Sequence, residues 1–108
     1  MKTLKFKAYL VQPILIGQKT KTWRLFDDKD IQVADLIDFL NYETGETFAR
    51  AEVLKVTEKS LAQIGDSDYA GQERYKNLDE MVRHYRDLYG DRVDLNTKVK
   101  IINFKLLR

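Results

Sequence analysis

The chain has 108 residues, of which 44% are hydrophobic and 33% are charged, a size that suits one domain with one modest core. It contains no cysteine, which excludes disulfides, thiolate metal sites and a cysteine nucleophile. The formal net charge of +2 is too small for a protein that coats a nucleic-acid duplex, but it is compatible with a small polyanion or a nucleoside as ligand.

The amino-terminal segment predicts a strand and then a short helix. Leu4, Phe6 and Ala8 alternate with lysines, which is the period of a half-buried strand. Pro13 and Gly17 bracket an apolar run and match the preferred first position of a helix and the position just after its end. We therefore expect the helix to begin at the proline.

The middle of the chain predicts strands and a central hairpin. Residues 20–26 are rich in β-branched and aromatic side chains, which favours a second strand. Residues 36–40 and 48–56 flank a polar turn in which Gly45 can supply a positive φ. This pattern is typical of a β-hairpin.

The last part of the chain predicts a helix and a closing strand. Asn77 can cap a helix whose apolar side chains recur at helical spacing up to Gly90, with Glu80 placed for a capping contact. The apolar run at residues 99–107 predicts a long strand. The whole order predicts an α+β fold in a single domain over residues 1–108, with about five to six strands in a small curved sheet or barrel and two or three helices.

The segment from Gly17 to Arg24 is the most informative part of the sequence. It places an amine (Lys19), a hydroxyl (Thr22) and a guanidinium (Arg24) within one turn from helix to strand. Thr22 and Arg24 share a strand face by the period of two, and the long stem of Lys19 can fold back toward them. Spacing alone does not require a site, because it is explained more simply if the lysines and Arg24 are solvated surface charges and the threonines favour the strand.

Other candidate residues are less specific. Glu73 lies in a loop without periodicity, and such loops often carry sites, although an exposed carboxylate explains it as well. Trp23, Tyr69 and Tyr75 have the chemistry to stack on a base, but aromatic side chains are more often core. His84 borders the apolar stripe of the last helix and is interpreted as a packing or surface residue.

Several chemistries find no support in the sequence. The only serines, Ser60 and Ser67, lack a glycine elbow, so a serine triad is not expected. No glycine-rich phosphate loop is present. Five aspartates lack the ordered spacing of a calcium loop and are interpreted as solvated turn residues: Asp27, Asp28, Asp30, Asp66 and Asp68. We expect no metal and no cofactor.

Residues 14–24 resemble the signature of the ASCH family, an apolar helix that ends in Gly-x-Lys-x-x-Thr-x-Arg. Gly17, Lys19, Thr22 and Arg24 fill its four fixed places. The hairpin and the order of elements are similar to the family's pattern over nearly the whole chain. The resemblance implies a PUA-like β-barrel.

Within this family, the chain is similar to short bacterial amidohydrolases that remove the acetyl group from N(4)-acetylcytidine. In those enzymes the motif lysine, the motif threonine and a glutamate before the last long helix carry catalysis, which here implies Lys19, Thr22 and Glu73. Hydrolysis of an acylated amine needs a nucleophile, a base, a proton donor and an oxyanion partner. From this chemistry we hypothesise Thr22 as nucleophile, Lys19 as base and Glu73 as proton donor, with Arg24 and Trp23 as substrate or oxyanion contacts.

The same residues also fit other functions. An RNA-binding module or an ASCH-type ribonuclease would use Lys19, Lys21 and Arg24 on phosphates, with an aromatic side chain stacked on a base. A purely structural or partner-binding domain is a third alternative. We expect a monomer with a nucleoside substrate and weak or no RNA binding. Residues 1–7 contain no apolar stretch of the length of a signal peptide or membrane span, so we expect a cytoplasmic protein without membrane contact.

Overall fold

Five strands form one curled sheet in the computed structural model, which describes residues 2–69 and 75–107 apart from the side chain of Asp66. The strands are β1 (Lys2–Phe6), β2 (Lys21–Leu25), β3 (Leu36–Asn41), β4 (Thr47–Ser60) and β5 (Lys98–Leu106). Their order is β1-β3-β4-β5-β2, with only the β1–β3 pair parallel. The predicted α+β fold with a small curved sheet is confirmed; the sheet is a half-barrel whose two edges are β1 and β2.

Two α-helices, α1 (Ala8–Leu15) and α2 (Leu78–Tyr89), accompany the sheet, together with short 3₁₀ helices at Leu61–Gln63 and Asp66–Tyr69. The side chain of Asn77 accepts a hydrogen bond from the backbone N–H of Glu80 at 2.8 Å, and Gly90 follows the last residue of α2 with φ 96°. The predicted cap and end of α2 are therefore confirmed. None of the helices in the described ranges is long and apolar enough to cross a bilayer.

The start of α1 differs from the sequence prediction. β1 ends at Phe6, Ala8 is already helical, and Pro13 lies inside the helix rather than at its start. Leu10 and Ile14 are four residues apart, so they share a helix face, and both pack into the core. This packing outweighs the backbone hydrogen bond that a proline removes from a helix interior.

The predicted central hairpin is confirmed as β3 and β4. Gly45 has φ 75° in the connecting turn, and its N–H donates to the carbonyl oxygen of Asn41 at 2.7 Å. A left-handed residue in a hairpin turn favours glycine, because it has no Cβ to clash. β4 runs on to Ser60, beyond the predicted end at residue 56, and pairs with β5 along most of that length.

The sheet separates two apolar clusters. Ile101 and Ile102 are neighbours on β5, yet they belong to different clusters, because successive strand residues point to opposite faces. The first cluster is centred on the rings of Phe39 and Phe6, whose centroids are 4.7 Å apart, and it includes Ile14 from α1. The second packs Met81 and Tyr85 of α2 against Trp23, Leu25, Leu61, Val93, Val99 and Ile101.

Candidate active site

A cavity of about 600 Å³ opens where the two sheet edges approach each other. The guanidinium of Arg24 on β2 bridges these edges, because its Nη2 donates to the carbonyl oxygen of Lys5 on β1 at 2.7 Å. Side chains of β1, α1, β2 and α2 line the cavity. Its volume lies within the range of about 300–1,000 Å³ that is usual for small-molecule sites.

The turn from α1 to β2 positions Lys19. Gly17 has φ 82°, which allows the chain to reverse after the helix. The carbonyl oxygen of Pro13 accepts hydrogen bonds from the backbone N–H groups of both Gln18 and Lys19, at 2.9 and 3.0 Å. These contacts fix the backbone of Lys19, and its side chain lines the cavity at only 5% exposure.

Thr22 and Arg24 come from one face of β2, as the strand period predicts. Thr22 is 4% exposed, and Arg24 Nε donates a hydrogen bond to its Oγ1 at 3.4 Å. The guanidinium also lies over the ring of Phe6, 4.8 Å from the centroid, which restrains its orientation. A hydrogen bond donated to an oxygen favours the negatively charged form of that oxygen. Lys19, Thr22 and Arg24 therefore meet around one cavity.

Trp23 lies between the cavity and the second apolar cluster. It is 4% exposed and contributes to the cavity wall. Its ring packs against Tyr69 and Tyr75, with centroid distances of 5.2 and 6.2 Å. Its Nε1 is buried without a hydrogen-bond partner among the described residues. This packing anchors β2, so the residue next to Thr22 is held by the core.

Glu73, the sequence candidate for a proton donor, lies outside the described residues, so its role stays a prediction. The described residues on either side, Tyr69 and Tyr75, both contact Trp23, and Tyr75 lines the cavity. In the described ranges, no group of three His, Asp or Glu side chains is placed to hold a metal ion.

The sequence reading missed several residues of the cavity. Lys5, Lys7, Tyr9 and Tyr42 lie at the cavity, with Lys7 Nζ 3.9 Å from the centroid of the Tyr42 ring. The lysine alternation on β1 was visible in the sequence, but its relation to β2 depends on the order of the strands. His84, which the sequence assigned to packing or surface, is half-buried and also lines the cavity.

Two aspartates correct the interpretation of the acidic residues as solvated. The side chain of Asp27 is 6% exposed and pairs with Lys100 Nζ at 2.9 Å. Burial alone would raise the pKa of Asp27, but hydrogen bonds from Lys100 and from two backbone N–H groups outweigh it and lower the pKa. Asp68 is likewise buried and pairs with Lys59 Nζ at 2.9 Å. We interpret both carboxylates as structural, because lysine ammonium groups and backbone N–H groups fill their hydrogen-bonding capacity.

Comparisons with known proteins give matches in structure alone. No family model matches the sequence, and a search of curated proteins finds no match. The chain is similar to an ASCH domain from Lactobacillus crispatus, with TM-score 0.76 and 18% identity over 97% of this chain and 78% of that one. It is also similar to a protein from Pyrococcus furiosus, with TM-score 0.63 and 19% identity over 99% of this chain and 97% of that one.

A third similar structure is an ASCH protein from Zymomonas mobilis, with TM-score 0.68 and 10% identity over 95% of this chain and 65% of that one. At these identities the likeness concerns the fold. The five-stranded curled sheet with two helices is consistent with a PUA-like barrel. The chain therefore has the fold of ASCH domains, as the Gly17-to-Arg24 motif predicted.

Proposed function

We propose that the protein is an amidohydrolase that removes the acyl group from the exocyclic amine of N(4)-acetylcytidine or a related N(4)-acylcytosine nucleoside. The products are cytidine and a carboxylate. The observation that carries this proposal is the burial of Lys19 and Thr22 in one cavity, with Arg24 Nε 3.4 Å from Thr22 Oγ1. A buried amine and a hydroxyl beside a guanidinium are the groups that acyl transfer needs.

The reaction begins with attack by Thr22 Oγ1 on the acyl carbon, while its proton passes to Lys19 in the neutral amine form. The resulting tetrahedral oxyanion collapses, and the bond from carbon to N4 breaks. A proton from Glu73 goes to the departing amine, so cytidine leaves neutral. Water then attacks the threonyl ester and gives a proton to the Glu73 carboxylate, while the Lys19 ammonium returns its proton to Thr22 Oγ1 as the ester bond breaks. The acid that is released ionises to the carboxylate, and the hydroxyl of Thr22 is restored.

Arg24 has two parts in this scheme. Its hydrogen bond to Thr22 Oγ1 stabilises negative charge on the nucleophile as the proton departs. A cation fixed by Lys5 O and the Phe6 ring is also preorganised to meet the oxyanion, without reorganisation at the moment of reaction.

The cavity walls suit a flat base. Aromatic side chains stack on nucleobases because both are flat rings with π-electron faces. The cavity is lined mostly by apolar and aromatic side chains, among them Phe6, Tyr75, Tyr85 and Tyr89. A pyrimidine held between such walls would bring its exocyclic amide to the polar end formed by Lys19 and Thr22.

The test is incubation of the purified protein with N(4)-acetylcytidine and chromatographic detection of cytidine and acetate. We expect turnover in the wild-type protein and none in Thr22→Ala. A useful control is Lys55→Gln, because Lys55 is exposed on β4 and does not line the cavity. Absence of cytidine with wild-type protein, under conditions where the nucleoside binds, would contradict the proposal.

An RNA-binding or ribonuclease function is the second candidate, because the same cavity combines cations with aromatic rings. The small net charge of +2 favours weak RNA affinity at physiological salt. A salt titration with single-stranded RNA separates the two functions. Tight binding with a steep salt dependence would favour the RNA function over the amidohydrolase.

A further inference from the structure

His84 is the only histidine of the chain, and the proposed reaction gives it no part. It is half-buried on α2 and lines the same cavity as Lys19 and Thr22. Its ring packs against the rings of Tyr75 and Tyr85, with centroid distances of 5.3 and 5.2 Å. These contacts hold the imidazole in the cavity wall.

The nitrogens of this imidazole have hydrogen-bonding capacity for a ligand. Neither nitrogen forms a hydrogen bond with another described residue. In the described ranges, the buried side-chain atoms without a partner are Trp23 Nε1 and Asn103 Oδ1, so both His84 nitrogens are accessible to solvent. A neutral imidazole offers one N–H donor and one acceptor, and packing against tyrosines uses neither.

The ring of Tyr75 connects His84 to the strand that carries Thr22. Its centroid is 5.3 Å from that of His84 and 6.2 Å from that of Trp23, which follows Thr22 on β2. The imidazole is therefore about one aromatic ring away from β2. This spacing suits a pyrimidine whose exocyclic amide lies at Thr22 and whose opposite edge faces α2.

A cytosine in this position needs a hydrogen-bond donor for its O2 carbonyl, because an unpartnered polar group in an apolar site costs free energy. α2 lines the cavity with His84, Tyr85, Leu88 and Tyr89. Leu88 has no polar group, and Tyr85 is 3% exposed within the second apolar cluster. The ring of Tyr89 contacts Phe26, beyond the end of β2, at a centroid distance of 5.8 Å. His84 is thus the α2 residue best placed to supply the donor.

We infer that His84 determines the specificity for the base by donating a hydrogen bond from a ring N–H to O2 of cytosine. The inference deepens the proposed function and rests on it for the identity of the base. A site that hydrogen-bonds a ligand group rejects analogues that lack the group. The cavity should therefore prefer cytosine to 4-aminopyrimidine, which is cytosine without the 2-oxo group.

Binding tests this contact without catalysis. Trp23 is the only tryptophan and lies in the cavity wall, so its fluorescence reports the entry of either ligand. In mildly alkaline buffer, where both ligands are uncharged, we expect the wild-type protein to bind cytosine about three- to tenfold more tightly than 4-aminopyrimidine. His84→Phe keeps a ring against Tyr75 and Tyr85 but has no nitrogen, so it should lose this preference.

Three further variants make the comparison specific. His84→Asn and His84→Gln place an amide N–H near one ring nitrogen or the other, so one of them should retain part of the preference. Arg83→Gln is the matched control, because Arg83 is adjacent, exposed and does not line the cavity. Equal affinities in the wild-type protein, or a preference that persists in His84→Phe, overturn the inference. Loss of the preference in both amide variants would indicate a general disturbance of the cavity wall and would also overturn it.

Hydrolysis distinguishes failure of this inference from failure of the proposed function. With N(4)-acetylcytidine, His84→Phe should raise KM about three- to tenfold and leave kcat close to wild type. Hydrolysis by the wild-type protein with no change in KM in His84→Phe overturns the inference while the amidohydrolase function stands. A preference for cytosine that depends on His84, without any hydrolysis, supports the base contact and contradicts the amidohydrolase function.

Discussion

Buried charged side chains lie at both ends of β2, Lys19 near its start and Asp27 just after its end, but their surroundings differ. At the far end, just beyond Leu25, Asp27 pairs with Lys100 at 2.9 Å, and the two side chains are 6% and 16% exposed. At the near end, the buried Lys19 and Thr22 face a cavity. The far end joins opposite charges directly, whereas the near end opens to a cavity of about 600 Å³.

This difference separates a structural site from a binding site. A buried carboxylate that accepts hydrogen bonds from an ammonium and two backbone amides has its bonding capacity filled by the protein. Lys19 and Thr22 instead line a cavity whose volume suits a small molecule. Substitutions at the near end should therefore change activity, and substitutions at the far end should change stability.

The largest expected effect is loss of activity in Thr22→Ala. The substitution removes the proposed nucleophile, and we expect kcat/KM for N(4)-acetylcytidine to fall by about 10³-fold or more. The free energy of unfolding should fall by about 1 kcal/mol or less, because the hydrogen bond from Arg24 is long. Thr22→Ser should keep part of the activity, since it retains the oxygen but loses the γ-methyl that restricts χ1. An unimpaired Thr22→Ala protein would mean that water makes the attack.

The second prediction contrasts two substitutions of Lys19. Lys19→Arg keeps the positive charge, but a guanidinium does not give up its proton near neutral pH. If Lys19 is the general base, Lys19→Arg and Lys19→Ala should both reduce kcat by about 10²- to 10⁴-fold. Steady-state kinetics with both variants makes the comparison. A nearly active Lys19→Arg protein would leave Lys19 as an electrostatic anchor and remove the base assignment.

The near end of β2 was predictable because its signals are local. Gly17, Lys19, Thr22 and Arg24 lie within eight consecutive residues, so the turn and the strand period allow them to converge. Spacing alone favoured solvated side chains, and the resemblance to the ASCH motif was needed to predict a site. The hairpin at Gly45 rests on equally local turn chemistry.

The far end was not predictable, because Lys100 lies 73 positions after Asp27 and no local pattern links them. The sequence reading therefore placed Asp27 in solvent. Lys5 and Lys7 were missed for the same reason, since β1 reaches the cavity through its parallel pairing with β3. Pro13 predicts a helix start from a local preference, but the core contacts of Leu10 and Ile14 favour a helix that begins earlier, at Ala8.

The third prediction concerns stability at the far end. Asp27→Ala leaves Lys100 Nζ and two backbone N–H groups without their acceptor, so we expect the free energy of unfolding to fall by about 1–3 kcal/mol. Asp28→Ala is the matched control, because Asp28 is adjacent and exposed. Urea denaturation measures both. The kcat/KM of Asp27→Ala should stay close to wild type, and a loss comparable to that of Thr22→Ala would break the contrast between the two ends.

The smallest expected effect is the acid dependence of stability. Folding lowers the pKa of Asp27 and of Asp68 below their ordinary value of 3.8. Each carboxylate therefore contributes stability that is fully present above that value and is lost as the pH falls through the lower pKa of the folded state. We expect the urea midpoint to be nearly constant above about pH 5 and to fall below it.

Asp27→Asn removes one of these two carboxylates, so its urea midpoint should be lower at neutral pH and should fall less steeply in acid than that of the wild-type protein. The amide can still accept from backbone N–H groups, so the variant should fold and the comparison should be measurable. Lys59→Met tests the other pair, because the loss of its ammonium leaves the N–H of Gly65 as the remaining hydrogen-bond donor to the Asp68 carboxylate among the described residues. If the urea midpoint of Asp27→Asn fell with decreasing pH as steeply as that of the wild-type protein, the Asp27–Lys100 pair would not determine the loss of stability in acid.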